Sequence, residues 1–323
     1  MIYYRSDWPE VGLKTALNEF RPVRSHTYHE ANLDLVQESK ISGATFRWVA
    51  IKSEFESNLY RFPVWILHLE VDDADGIMLT ARLESVALRG YIKETLRQLF
   101  EILPWDTAYI YTKVVKEEPL FYTLLQFGFE EVEFRRIYMC KVRDLISKPL
   151  WSSLKSIIFT SLAAISPEQL SQYREQIFNI CCQAFEKGYT RHFSDPFLLS
   201  RLSGFTYILR SMELNFNRVA PSHFLLAVDT GSDQPCGFSV VGIKPGLGEN
   251  IYTQLLSAVK KTYRGRGIYR GLTQLLSETL PQEAILLNIT HVGALAMQRA
   301  YQDSGRFHLA DTVVLRRVFK AEH

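Results

Sequence analysis

The stretch Lys260–Gly271, KKTYRGRGIYRG, sets two glycines between a strand-like run and a helix-like run. The run 252–259 before it reads as a strand. The run after it places Ile268, Leu272, Leu275, Leu276 and Leu280 on one helical face. Gly265 and Gly267 let the backbone turn tightly and come close to a ligand. A helix N-terminus leaves about four amides without internal partners and carries about half a positive charge, which together suit a diphosphate. Five of the eleven residues from Lys260 to Arg270 are Lys or Arg, so side chains add to that charge. The turn therefore reads as a pyrophosphate cradle, and its plain alternative is a solvated basic turn. It is not a P-loop, because G-x-x-x-x-G-K-[ST] is missing. The spacing of Gly265, Gly267 and Gly271 is also wrong for a dinucleotide fingerprint.

The rest of the chain predicts two halves, 1–148 and 149–323. The first reads as strands at 46–51, 64–71, 107–115 and 134–142, with helices at 90–103 and 118–127. Pro104 stops the first helix and Gly128 caps the second. The pattern blurs over 147–166. The second half then reads as helices at 167–187 and 198–215, and a hairpin of 223–229 with 237–243 across Thr230–Asp233. The strand 252–259, the helix 268–280, a strand at 284–290, a helix at 292–303 and final strands within 307–319 follow. Each half ends as strand, helix, glycine turn and strand, around Gly128 and Gly305, which suggests a tandem repeat. The expected class is α/β with a mixed sheet, and no phosphate turn stands in the first half.

A chain of 323 residues with 47 % hydrophobic content supports substantial cores. A net charge of +2, with no basic stripe or stacking-aromatic array, argues against a nucleic-acid partner. The four cysteines have no metal-ligand spacing, so reduced thiols, no metal and a cytoplasmic location are expected. The start, MIYYRSDWPE, lacks the apolar core of a signal peptide. The most apolar run, 157–165, is far shorter than the roughly 20 residues of a membrane span, so no membrane partner is expected.

Arg264–Gly265–Arg266–Gly267–Ile268–Tyr269 resembles the acyl-CoA signature [Q/R]-x-x-G-x-[G/A] of the GCN5-related N-acetyltransferase (GNAT) superfamily. The final small residue of that signature is Tyr269 here, which crowds one amide of the cradle. The stretch Thr290–Tyr301 is similar to the family's segment after the fifth strand, with Tyr301 at its tyrosine position and Ala294 where the family has Asn. In layout the chain looks like the bipartite dTDP-fucosamine acetyltransferase type, through Ser53-Glu54-Phe55, Phe62-Pro63-Val64 and Leu124–Phe129. The resemblance implies tandem GNAT-like folds, the first diverged and lacking the coenzyme A motif. Acetyl-CoA is the implied cosubstrate, with no metal, and the implied acceptor is a small-molecule amine, in its narrower form a nucleotide-linked amino sugar. A homodimer is compatible with it.

Direct attack of an amine on a thioester needs a polarised carbonyl, an amine that loses a proton and a stabilised thiolate. The resemblance assigns the carbonyl to backbone amides at Ala258 or Val259 and the phosphates to Arg264, Gly265, Arg266, Gly267, Tyr269, Arg270 and Gly271. It assigns the general acid to Tyr301, whose plain alternative is a core tyrosine. His291, at a strand end where a cleft would open, is the candidate base, against a capping role. Asp195, within the aromatic stretch 189–197, is the candidate acceptor residue, against a turn Asp before Pro196. Two other activities fit the same residues: protein or peptide N-acetylation, and acyl-CoA binding without catalysis.

Overall fold

The computed structural model describes residues 35–41, 44–72, 90, 93–94, 96–98, 100–101, 108–116, 119–146, 154–185, 191–200, 202–243 and 250–319. Among these residues eleven strands form one mixed sheet in the order β1-β2-β3-β4-β11-β5-β10-β9-β8-β7-β6. The strands of the first half are β1 (Leu35–Ile41), β2 (Ala44–Lys52), β3 (Val64–Asp72), β4 (Ala108–Val115) and β5 (Glu130–Lys141). Those of the second are β6 (Ile157–Ser161), β7 (Phe224–Asp229), β8 (Gln234–Ile243), β9 (Ile251–Val259), β10 (Ile285–His291) and β11 (Phe307–Phe319). The helices are α1 (Glu54–Ser57), α2 (Pro119–Gln126), α3 (Pro167–Phe185), α4 (Arg191–Ser194), α5 (Leu202–Arg218), α6 (Ile268–Thr279) and α7 (Leu295–Asp303).

Most expected elements are present within a few residues, and the described residues between 90 and 101 are helical. Three differences stand out. Ile157–Ser161, the start of the most apolar run, is an edge strand on β7. Part of the aromatic stretch forms the short helix α4. The run 307–319 is a single strand of 13 residues, broken in register against β5 between His308 and Ala310 and between Val314 and Leu315. Residues 186–190, at the end of the expected helix 167–187, lie outside the described residues.

The two endings do match: Gly128 (φ 75°) follows α2 and Gly305 (φ 87°) follows α7. Both take the left-handed backbone that glycine tolerates best at a helix end. Their final strands, however, cross over. β11 pairs with β4 of the first half, and β5 pairs with β10 of the second. β11 and β5 also pair with each other, so the sheet runs unbroken through both halves.

Alternation along β7 divides the second half into two layers. Leu225 and Ala227 pack with Ile268, Leu272 and Leu276 of α6 on one face. Phe224, Leu226 and Val228 pack with Tyr173, Ile177 and Ile208 of α3 and α5 on the other. At Gly271 an added Cβ would lie 2.1 Å from Phe159, so glycine lets α6 sit close on β6. Among the described residues no helix is long and apolar enough to cross a membrane.

Candidate active site

β9 ends at Val259, a 3-10 turn covers Lys261–Tyr263, and α6 starts behind Gly267. Gly265 has φ 76° and Gly267 φ 87°. An added Cβ at Gly265 would meet nothing within 4 Å, so this glycine serves the backbone conformation and not a close contact. Among the described residues the amides of Gly265, Arg266, Gly267, Ile268 and Tyr269 donate to no backbone carbonyl. Lys261, Arg264 and Arg266 are exposed around them. This run of unspent donors at a basic helix start fits a diphosphate, the part of coenzyme A that the turn would hold. The turn is braced from behind: Tyr263 and Ser232 both donate to Asp229, at 2.9 and 3.0 Å, and Arg264 Nε donates to Val259 O at 3.0 Å.

Beside the turn the sheet opens. β9 and β10 pair in parallel only from Ile251 with Ile285 to Gln254 with Asn288. Past that rung, among the described residues, β9 keeps only β8 as a partner and β10 only β5. The Lys260 amide donates to Cys236 O on β8 at 2.8 Å. By alternation the Ala258 amide also faces β8, whereas the amides of Ser257 and Val259 face the gap. Of the two expected residues, Val259 is the one whose amide points there, and Ser257 joins it.

A buried polar cluster fills the foot of the gap. Gln254 Nε2 donates to Ser239 Oγ at 3.1 Å, and Gln254 Oε1 accepts from Tyr269 OH at 2.8 Å and from Asn288 Nδ2. Asn288 Oδ1 accepts from Arg306 Nε at 2.8 Å, and Arg306 Nη1 donates to Ser304 Oγ. The Tyr269 ring thus turns into the protein, so its bulk does not sit over its own amide. Tyr301 is buried in contact with this cluster, its ring 5.9 Å from that of Tyr269 and 5.3 Å from that of Tyr138. Burial, then the neighbouring Tyr269, hold its phenol well above 10, while Arg306 pulls the other way.

The other two expected residues lie elsewhere in these hydrogen-bond networks. His291 Nδ1 accepts from the Gly293 amide at 2.9 Å, and burial lowers the ring's pKa. With Nδ1 accepting, the proton of a neutral ring sits on Nε2. Asp195 is buried at the seam of the halves. Its Oδ2 accepts from Tyr109 OH at 2.5 Å, and its Oδ1 accepts from Arg316 Nη1 at 2.7 Å and from the Phe197 amide at 3.0 Å. Nearby, Arg191 donates to Glu56 at 2.7 Å and to Tyr60 OH at 3.0 Å, with its guanidinium 3.7 Å from the Tyr111 ring centroid. Both α4 and the residue after it are therefore gripped by the first half.

Sequence reasoning missed Gln254, Asn288, Arg306 and Arg191. Asn288 and Gln254 each interrupt an apolar strand run, ILLNIT and IYTQLL, and that interruption is the readable signal. Among the described residues no group of His, Cys, Asp and Glu could hold a metal.

No protein-family model matches the chain, and no curated protein matches its sequence. Solved structures do match by shape. A GCN5-related N-acetyltransferase from Sphaerobacter thermophilus aligns with TM-score 0.54 and 13 % identity, over 91 % of this chain and 84 % of that one. A GCN5-related glucosamine N-acetyltransferase region of a fungal multi-domain GH3 β-N-acetylglucosaminidase aligns with TM-score 0.52 and 11 % identity, over 97 % of this chain and 37 % of that one. A tandem GNAT protein from the clavulanic acid biosynthesis pathway aligns with TM-score 0.49 and 12 % identity, over 88 % and 86 %. With the opened β9–β10 pair and the glycine turn before α6, the chain has the fold of the GCN5-related N-acetyltransferases.

Proposed function

We propose that this protein is an acyl-CoA-dependent N-acyltransferase that acts on a small primary amine. One observation carries the reading: the run of unbonded amides from Gly265 to Tyr269, ringed by basic side chains and next to an opened strand pair. These amides, with Arg264, Arg266 and Arg270, would hold the diphosphate of coenzyme A. The gap-facing amides of Ser257 and Val259 offer donors for an amide-bearing arm or a carbonyl oxygen. Coenzyme A, when bound, supplies a thioester carbonyl open to attack and a thiolate that leaves. Tyr301, kept protonated by its surroundings, gives a proton to that thiolate.

The acceptor reading stays with a small amine, and its narrower form is a nucleotide-linked amino sugar. The fungal neighbour of the same fold is a glucosamine N-acetyltransferase region, which supports an amino sugar as acceptor but says nothing of a nucleotide. We also propose that 1–148 serves as a scaffold half and 149–323 as the coenzyme A half. A cytoplasmic setting agrees with the free cysteines, of which burial pushes Cys140 up to about 11 and Cys236 up to about 12.

Turnover of acetyl-CoA against a panel of amines that includes nucleotide amino sugars, followed by mass spectrometry, tests the reading. Tyr301→Phe should lower kcat at least tenfold, within the roughly 10²–10⁴-fold that a positioned acid supplies. Its acetyl-CoA Kd should stay unchanged, and an unaltered kcat sinks the assigned role. The deep burial of Tyr301 favours a second reading, acyl-CoA binding without transfer. Dialysis showing bound coenzyme A, with no product from any amine, would select it.

A further inference from the structure

We propose that Arg306 is the counter-ion that lets the buried phenol of Tyr301 act as a proton donor, which makes it a positioning residue for the transfer. The inference rests on the reading of Tyr301 as the acid. Arg306 is 2 % exposed and follows Gly305 directly into β11. Its Nε and Nη1 are taken by Asn288 and Ser304, but Nη2 is buried with no hydrogen-bond partner. Among the described residues no carboxylate pairs with it. Arg191, the other buried arginine among the described residues, has Glu56 at 2.7 Å. A buried cation without a counter-charge is costly, so something near it must compensate.

The guanidinium carbon lies 5.3 Å from the Tyr301 ring centroid and 6.0 Å from that of Tyr269. The electron-rich faces of these rings and the carbonyl end of α7 offset part of the charge. A full counter-charge arises only when one of the phenols is ionised. Tyr269 is half-buried and committed to Gln254, whereas Tyr301 is 3 % exposed, so charge on Tyr301 gains more from Arg306. The titratable and charged groups facing Tyr301 are Tyr269 on α6, Tyr138 on β5 with His308 of β11 beyond it, and Arg306 itself. Cys140 of β5, beside Arg306, is held protonated by burial. Asn288 on β10, neutral, links the guanidinium to the rest of the cluster.

The proton balance closes without a further reactant. The acceptor nitrogen attacks the thioester carbonyl, the C–N bond forms and the C–S bond breaks. The Tyr301 O–H bond breaks as its proton goes to the leaving sulfur, and an N–H bond of the new, protonated amide nitrogen then breaks to return a proton to the phenolate oxygen. Nothing is oxidised or reduced. Between the two transfers Arg306 holds the phenolate.

The test replaces Tyr301 in the full chain with a fluorinated tyrosine, whose more acidic phenol titrates at a lower pH, and follows it by fluorine NMR. Arg306→Gln should raise that titration by about one pH unit or more, the tenfold that a lost charge partner of about 1.4 kcal/mol removes. With ordinary Tyr301, Arg306→Gln should lower kcat about tenfold while KM for acetyl-CoA stays within about twofold, and Arg306→Lys should recover most of kcat. A titration unmoved in folded Arg306→Gln overturns the proposal, whatever happens to activity. If Arg306→Gln does not fold, Arg306→Lys decides, since a titration displaced upward by a full unit despite the retained charge overturns the pairing. A titration that moves in a protein that transfers no acyl group upholds the pairing and sinks the acyltransferase reading instead.

Discussion

At the residue scale two glycines of the same stretch do opposite work. Gly265 is held at φ 76° with open space around it, whereas Gly271 is in a helix with Phe159 against it. Gly265→Ala should cost about 1–2 kcal/mol of backbone strain and distort the amide cradle. Gly271→Ala should cost about 1–3 kcal/mol by overpacking and leave the cradle amides in place. Urea unfolding and equilibrium dialysis with coenzyme A separate the two. Gly265→Ala should weaken Kd by about tenfold or more, while Gly271→Ala should mainly lose stability. Equal Kd in both variants would remove the turn from the binding site. A second residue-scale effect comes from His192, stacked on Tyr207 with centroids 3.4 Å apart and its Nδ1 without a partner. Burial, then Arg191 and Arg135, hold its pKa well below 6.5. The unfolded chain takes up this proton below about 6.5 and the folded chain resists it, so stability is lost as pH falls through that value and not above it. The urea midpoint should fall between pH 7.5 and about 5.5, by at most about 1.4 kcal/mol per pH unit from this group. His192→Phe, which keeps the stack, should flatten that fall.

At the element scale the strands and helices that carry periodic apolar patterns were legible, and so was the turn, because glycine and charge are local signals. Partner choice was not. β5 and β11 carry their own alternation, but nothing in Glu130–Lys141 or Phe307–Phe319 says which strand lies beside them. The polar cluster was hidden for the same reason: Gln254, Tyr269, Asn288 and Arg306 come from separate elements and meet only through the sheet order. Asp195 is a case in point. The sequence offers an acceptor residue or a turn Asp before Pro196, and its partners, Tyr109 on β4 and Arg316 on β11, follow only from the sheet order. Its side chain is 0 % exposed and that of Arg316 is 12 % exposed, so Asp195→Asn leaves an arginine largely uncompensated. Breaking such a pair costs about 3–5 kcal/mol, and Glu130, 3.2 Å from Arg316 but exposed, recovers little. Urea unfolding should show a loss of about 3 kcal/mol. If Asp195→Asn raises KM for the acceptor and leaves stability untouched, Asp195 is an acceptor residue and not a strut.

At the scale of the whole molecule the crossed strands make the halves interdependent. A fragment of residues 1–148 would contain β4 and β5 but not β11, which lies between them. A fragment of 149–323 would contain β10 without β5, and β11 with neither partner. Each would expose long strand edges, which favour aggregation over a folded monomer. The intact chain should therefore unfold in urea as one transition, with ellipticity and tryptophan fluorescence coincident. Neither fragment should fold alone, and the two mixed during refolding should associate and regain coenzyme A binding. The binding should return because β5 fixes β10, and so the far wall of the gap beside Val259, while Glu56 and Tyr60 hold α4 through Arg191. Two resolved transitions, or a folded 149–323 that binds coenzyme A alone, would show that the first half is an appendage. A single transition with binding restored only in the mixture would show that the first half, without a phosphate turn of its own, completes the site of the second.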